Sequence, residues 1–222
     1  MKIAVLGTGK MGKLLRSLAE AQDIAVITAG RAQELDLTGV DVCIDFSHAS
    51  QVVPIVEKCC AHHIPLVIGT TAWEQHFNTV ANAIKSAGIG CVYSSNYSVG
   101  IFLMEHLLGS LSTVMKQVSQ PLFDIAIHEM HHSKKVDAPS GTALQLAKKL
   151  SQTEVPITST RCGSVVGTHT VLIDGIDDTI ELTHRAKSRN SFAQGALLAA
   201  QWIQGRTGMH TFAELLRSQY GM

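Results

Sequence analysis

The chain has 222 residues, enough for one large domain or two modest ones. Its 45% hydrophobic and 16% charged residues describe a folded globule, and 18 basic against 18 acidic residues leave no overall field for nucleic acid or a membrane surface. No run approaches the roughly 20 apolar residues that span a bilayer. The apolar start, Met1 to Leu6, is too short for a signal peptide and is broken at once by a glycine turn. The cysteines, Cys43, Cys59, Cys60, Cys91 and Cys162, are odd in number and form no CxxC pair. Reduced thiols in a cytoplasmic protein are therefore expected, not a disulfide framework or a zinc site.

In chain order, residues 3–6 predict a buried strand. Met11, Leu14, Leu15 and Leu18 then recur at helical steps. Strands follow at 24–28 and 42–46, then a helix over 52–61 in which Pro54 is tolerable only in the first turn. A strand at 66–68, a helix over 73–87 and a strand at 90–93 complete an alternation that implies a parallel sheet. The pattern then changes. A helix over 101–116 and a strand at 123–128 lead to a His/Lys-rich loop and a helix over 142–150. Short strands at 158–166, 169–173 and 179–183, punctuated by Gly167 and Asp174-Gly175, suggest antiparallel pairing. Helices over 191–204 and 212–217 close the chain. The expectation is an α/β Rossmann-like parallel-sheet domain over 1–97 plus 194–222, and an α+β domain on a mixed or antiparallel sheet over 98–193.

Gly7-Thr8-Gly9-Lys10-Met11-Gly12 is a G-x-G-x-x-G turn set between a strand and a helix, the context a dinucleotide site requires. Gly7 permits the turn, Gly9 lets the backbone approach a pyrophosphate, and Gly12 lets helix and strand pack closely. The helix N-terminus then favours the anion. The acidic residue that usually meets the ribose is missing from the end of the second strand, and Arg31 stands close by. A guanidinium can pair with a 2′-phosphate. NADPH or NADH is the expected cofactor, with Arg31 favouring NADPH and Glu34 and Asp36 within reach for NADH.

The segment Glu129 to Ala143 gathers His131, His132, Lys134 and Lys135 ahead of a helix start. Ser140 can cap that helix, and the amides of Gly141 and Thr142 lie at its N-terminus. Lys135 and those amides suit a carboxylate, and either histidine can move a proton near neutral pH. Two rival readings stand beside this: a metal held by the two histidines and Glu129, disfavoured because the lysines repel a cation, and a plain solvated basic loop.

The string His131-His132-x-x-Lys135-x-Asp137-Ala138-Pro139-Ser140-Gly141-Thr142-Ala143 resembles the signature of the dihydrodipicolinate reductase family. Further segments match in order: Ile44 to Ser47, Ile68 to Thr71, Ser95 to Gly100, Arg161-x-Gly163, Gly167 to Thr170, and His184 to Ala196. Ala72 departs from the pattern, where the family usually has glycine, and the region between the second and third strands is short. The resemblance implies NAD(P)H-dependent reduction of a cyclic dicarboxylate, a small-molecule partner, in lysine and diaminopimelate biosynthesis. It implies His131 as general acid, with His132, Lys135, Gly141 and Thr142 holding substrate carboxylate. Gly69, Thr71, Ser94, Asn96 and Tyr97 would line the nicotinamide, Val99-Gly100 would act as a hinge, and the assembly would be a homotetramer. An aspartate- or homoserine-type dehydrogenase would share the glycine turn but has no reason to carry the histidine string.

Overall fold

The computed structural model describes residues 1–117, 123–150 and 154–221. The chain divides into two compact units, Met1–Tyr97 with Asn190–Met222, and Ser98–Arg189.

The first unit is a parallel sheet of β1 (Lys2–Leu6), β2 (Ala25–Ala29), β3 (Val42–Asp45), β4 (Leu66–Ile68), β5 (Gly90–Tyr93) and β10 (Gly208–Thr211), in the order β10-β5-β4-β3-β1-β2. β1 lies inside the sheet between β3 and β2, and Ile3 to Leu6 are wholly buried, which is why this segment is apolar at every position and not at alternate ones. Its helices are α1 (Lys10–Glu20), α2 (Ala49–Ala61), α3 (Phe77–Ala87), α6 (Asn190–Trp202) and α7 (Phe212–Tyr220). Cys43, Leu66, Ile68 and Cys91 pack with Val52, Ile55, Val56 and Cys59 of α2 and Val80 and Ile84 of α3. Each such buried side chain contributes roughly 1.5–3 kcal/mol. α6 packs with α1, and it lies close against the chain after β5 because Gly195 has no side chain: a Cβ there would lie 1.9 Å from the Tyr97 carbonyl oxygen.

Two expectations for this unit need correction. β10 was not anticipated between the last two helices; Gly-Met-His-Thr has no apolar alternation, and its residues are only partly buried at the sheet edge. It runs straight into α7, whose N-terminus is closed by a Thr211–Glu214 capping box. The second helix begins at Ala49, not residue 52, so Pro54 lies beyond its first turn. The start was hidden because its cap is an imidazole: His48 Nδ1 accepts from the Ser50 amide. The helix persists past the lost backbone bond because Val52, Ile55, Val56 and Cys59 are buried.

The strand order reverses between β1 and β3. α/β sheets bind ligands at such a switch point, outside the carboxyl ends of the strands. Gly7 and Phe46-Ser47 follow the two strands that flank it, and Gly69–Thr71 and Ser94–Tyr97 follow the carboxyl ends of β4 and β5.

The second unit is a mixed sheet, β7 (Ile157–Arg161), β6 (Asp124–His131), β8 (Gly167–Asp174) and β9 (Thr179–Ala186) in that order. β6 and β7 are parallel, and the other pairs antiparallel. α4 (Val99–Gln117) and α5 (Gly141–Lys149) supply Met104, Leu108, Ala143 and Leu146 to a core with Ile125, Ile127, Val171 and Ile173. Val99 and Gly100, expected at a hinge, lie in the first turn of α4. A Cβ at Gly100 would sit 2.9 Å from the His184 ring, so packing accounts for this glycine. Among the described residues no helix is long and apolar enough to cross a membrane, and all five cysteines are free.

Candidate active site

β6 extends to His131, three residues beyond the expected strand, so His131 stands on a strand and not in a loop. The polar residues disguised the continuation. Ile125, Ile127, Glu129 and His131 alternate on one buried face, as a strand dictates. β8 does the same with Ile173, Val171, His169 and Gly167. The register sets Ile125 against Ile173, Ile127 against Val171 and Glu129 against His169. At one end of an apolar face the sequence has thus substituted a carboxylate and two imidazoles.

Glu129 is fully buried. Its Oε1 accepts from Arg161 Nη2 at 2.7 Å, and its Oε2 meets His131 Nδ1. Burial alone would push its pKa up, but the bonds from Arg161, Ser159 and His131 hold it at about 2. His131 is 8% exposed. Burial lowers its pKa, Glu129 pulls it back up, and the Lys135 and Arg161 charges push it down again. His169 lies edge-on to His131, with ring centroids 5.1 Å apart. Its Nε2 is 3.2 Å from Ser140 Oγ, and the same hydroxyl oxygen accepts from the Ala143 amide to cap α5.

The loop between β6 and α5 places Lys135 on Asp137, at 2.7 and 2.8 Å to the two carboxylate oxygens. This partner was not expected. Gly141 and Thr142 occupy the first positions of α5, whose amides have no intrahelical acceptor. A Cβ at Gly141 would meet no described atom within 4 Å. His132 is partly buried beside His131.

Glu129, His131 and His169 bring ligating atoms within 4.8 Å of one another. The sequence suggested Glu129 with His131 and His132; the structure puts His169 in that third place. Arg161 on Glu129 and Lys135 nearby set two positive charges against a cation.

In the first unit the glycine turn has the form a pyrophosphate needs. Gly7 has φ +115°, and a Cβ there would lie 2.3 Å from the Phe46 carbonyl oxygen. A Cβ at Gly12 would lie 1.7 Å from the Gly7 carbonyl oxygen, whereas the space beside Gly9 is open. No side chain caps α1 and no acid stands in its first turn, so its positive end is available to an anion. Thr8, Lys10 and Met11 complete the turn, with Thr8 and Lys10 exposed. These residues fit a dinucleotide. Arg31 is exposed just beyond β2, and Glu34 Oε2 lies 3.7 Å from where a Gly30 Cβ would be.

Packing shapes two of the other predicted positions, Gly69 and Tyr97. A Cβ at Gly69 would strike the Phe46 ring at 2.3 Å. The Tyr97 hydroxyl donates to the Ile68 and Val92 carbonyls at 2.9 and 3.1 Å, and its ring is 1% exposed. The side chain therefore faces the core, leaving the backbone to meet a ligand. Ser94 Oγ closes a turn onto Asn96, and Thr71 is exposed. Arg161 and His169 carried no assigned role in the sequence, and Glu129 only that of a disfavoured metal ligand. Arg161 and His169 sat in quoted motifs, but only strand register reveals that they converge.

His169 also makes the fold sensitive to acid. Burial first, then the neighbouring His131 charge, lower its pKa to about 4, below the roughly 6.5 of an unfolded histidine. Between those values the unfolded chain holds the additional proton, so stability rises with pH. The contribution is complete above about pH 6.5 and is lost as pH falls towards 4. Urea denaturation should show wild type losing about 2 kcal/mol more than His169→Gln between about pH 7 and 4.5. Equal losses would contradict the assignment.

Models of the dihydrodipicolinate reductase N-terminus and C-terminus match residues 26–97 and 100–216. The chain is 33% identical to the 4-hydroxy-tetrahydrodipicolinate reductase of Christiangramia forsetii, over 97% of this chain and 98% of that protein. It is 37% identical to the enzyme of the same name from Akkermansia muciniphila, over 96% and 98% of the two chains. A solved dipicolinate-bound dihydrodipicolinate reductase from Paenisporosarcina sp. TG-14 superposes with a TM-score of 0.77 at 21% identity, covering 97% of this chain and 99% of that one. With both parts matched and relatives a third identical along almost the whole length, the chain belongs to the dihydrodipicolinate reductase family.

Proposed function

We propose that the chain reduces 4-hydroxy-tetrahydrodipicolinate, through its dehydrated form, to tetrahydrodipicolinate in lysine and diaminopimelate biosynthesis. The observation that carries this reading is the His131 imidazole, backed by a buried carboxylate and followed by Lys135 and the Ser140-capped N-terminus of α5. The cofactor is a nicotinamide dinucleotide, which supplies the hydride to ring carbon C4. The glycine turn Gly7 to Gly12 holds its pyrophosphate. Gly69, Thr71, Ser94 and Asn96, with the Tyr97 backbone, border its nicotinamide at the strand ends. Conjugate addition at C4 leaves electron density on the adjacent ring atoms. His131 gives the proton that completes loss of one double bond. His132, Lys135 and the Gly141 and Thr142 amides hold a substrate carboxylate. The first unit is thus the dinucleotide-binding domain and the second the substrate-binding domain. The second unit's sheet also builds a homotetramer. The sheet face turned away from α4 and α5 bears exposed His128, Glu181, Thr183 and Arg185 beside part-buried Ala126, Met130 and Leu172, so that contact mixes polar and apolar groups.

Both NADPH and NADH serve, and Arg31 favours NADPH. A guanidinium on a 2′-phosphate contributes about 1.5–3 kcal/mol. Glu34, reaching back towards Gly30, limits the preference. Arg31→Ala should raise the KM for NADPH about tenfold or more and that for NADH less than about twofold. An unchanged NADPH KM would remove Arg31 from the site. The reaction itself is tested by generating the substrate with the preceding synthase and following reduced cofactor. Consumption that depends on the synthase is expected; none with either cofactor would refute the function.

A further inference from the structure

Glu129 sits on the inward face of β6, between Ile127 and His131 on that face, and its exposure is 0%. A carboxylate there is costly unless its oxygens are bonded. Both are, to Arg161 Nη2 and to His131 Nδ1. Parallel pairing of β6 and β7 sets Arg161 level with His131. The same guanidinium bonds the Asp137 carbonyl, which ties it to the loop that carries Lys135.

We infer that Glu129 is the positioning residue for His131: clamped by Arg161, it keeps a hydrogen on Nδ1 and so assigns Nε2 as the nitrogen that hands the proton to substrate. The inference rests on the reading of His131 as the acid. An ionised carboxylate only accepts hydrogen bonds, so Nδ1 carries its hydrogen in both charge states of the ring. The exchangeable proton is then on Nε2. It leaves to the substrate carbon while the Nδ1–H bond to Glu129 stays, and solvent restores it. Gly167 helps keep that edge clear, since a Cβ there would lie 3.0 Å from Nε2.

The groups facing the ring come from every neighbouring element. Glu129 on β6 favours the imidazolium. Arg161 on β7 and Lys135 in the following loop oppose it. His169 on β8 lies edge-on and is neutral near pH 7. Neutralising Glu129 therefore leaves only opposing charges, and the ring's pKa must fall.

Nitrogen-15 NMR of histidine-labelled wild-type protein tests the tautomer directly, with the His131 signals identified by their loss in His131→Ala. Above the ring's pKa, Nδ1 should be protonated and Nε2 bare. In Glu129→Gln, kcat should fall about 10- to 100-fold, with substrate KM within about threefold. The alkaline limb of its pH profile should move to lower pH, and Glu129→Asp should recover part of kcat. An Nε2-protonated ring in wild type overturns the inference, as does Glu129→Gln with normal kcat and an unmoved limb. If Glu129→Gln does not fold, the wild-type tautomer decides alone. Normal turnover in His131→Ala would instead overturn the acid role itself, and the tautomer would still report whether Glu129 holds the ring.

Discussion

Replacing His131 with alanine should lower kcat about 100- to 10,000-fold while leaving the dinucleotide Kd within about twofold. The two effects separate because the residues concerned belong to different units. The glycine turn and Arg31 lie in Met1–Tyr97, and His131 lies in Ser98–Arg189. Adding hydride to a conjugated carbon–nitrogen system builds negative charge, and a positioned donor lowers that barrier. Its pKa is lowered: burial, Lys135 and Arg161 ease proton release, against the opposing pull of Glu129. Stopped-flow binding of reduced cofactor, alongside steady-state turnover, separates the two quantities. Near-normal turnover would remove His131 from the chemistry.

The second large effect is expected at Lys135. Lys135→Ala should reduce kcat/KM about 100-fold, mostly through KM, with a smaller fall in kcat. Losing a charge-assisted hydrogen bond to a substrate carboxylate costs about 1.5–3 kcal/mol. The Asp137 carboxylate, now bound to Lys135 at 2.7 Å, would be left without that partner and would repel the dianion. Lys135→Arg should recover only part of the loss, because a planar fork does not replace a compact ammonium. An unchanged substrate KM in Lys135→Ala would place the carboxylate elsewhere.

Much of the fold was legible because its signals are local. β1 is a short apolar run ending in a glycine turn, and α1 carries its apolar residues at helical spacing, so both could be placed from sequence. The His131–Ala143 string carried the family resemblance from which a proton donor and an anion site are proposed. What remained hidden depends on register and packing. Glu129 reads as a polar residue before a loop, yet alternation carries it inward on an extended β6. Arg161 lies thirty residues downstream of His131 in sequence, and His169 further still, and only the pairing of β7 and β8 with β6 brings them to Glu129. Tyr97 and Gly69 carried motif signals that the structure explains by packing on Phe46. β10 lacked any periodicity to detect. The His48 cap of α2 was masked because imidazole is not among the usual capping groups.

The central claim, a proton from His131 meeting a hydride-accepting dianionic ring, is tested most directly by one crystal structure with oxidised cofactor and pyridine-2,6-dicarboxylate bound together. The account predicts His131 Nε2 facing the ring within hydrogen-bonding or single-water reach, Nδ1 still on Glu129, and a ring carboxylate on Lys135 and the α5 amides. An imidazole turned away from the ring, with the nicotinamide out of range of its C4, would contradict it.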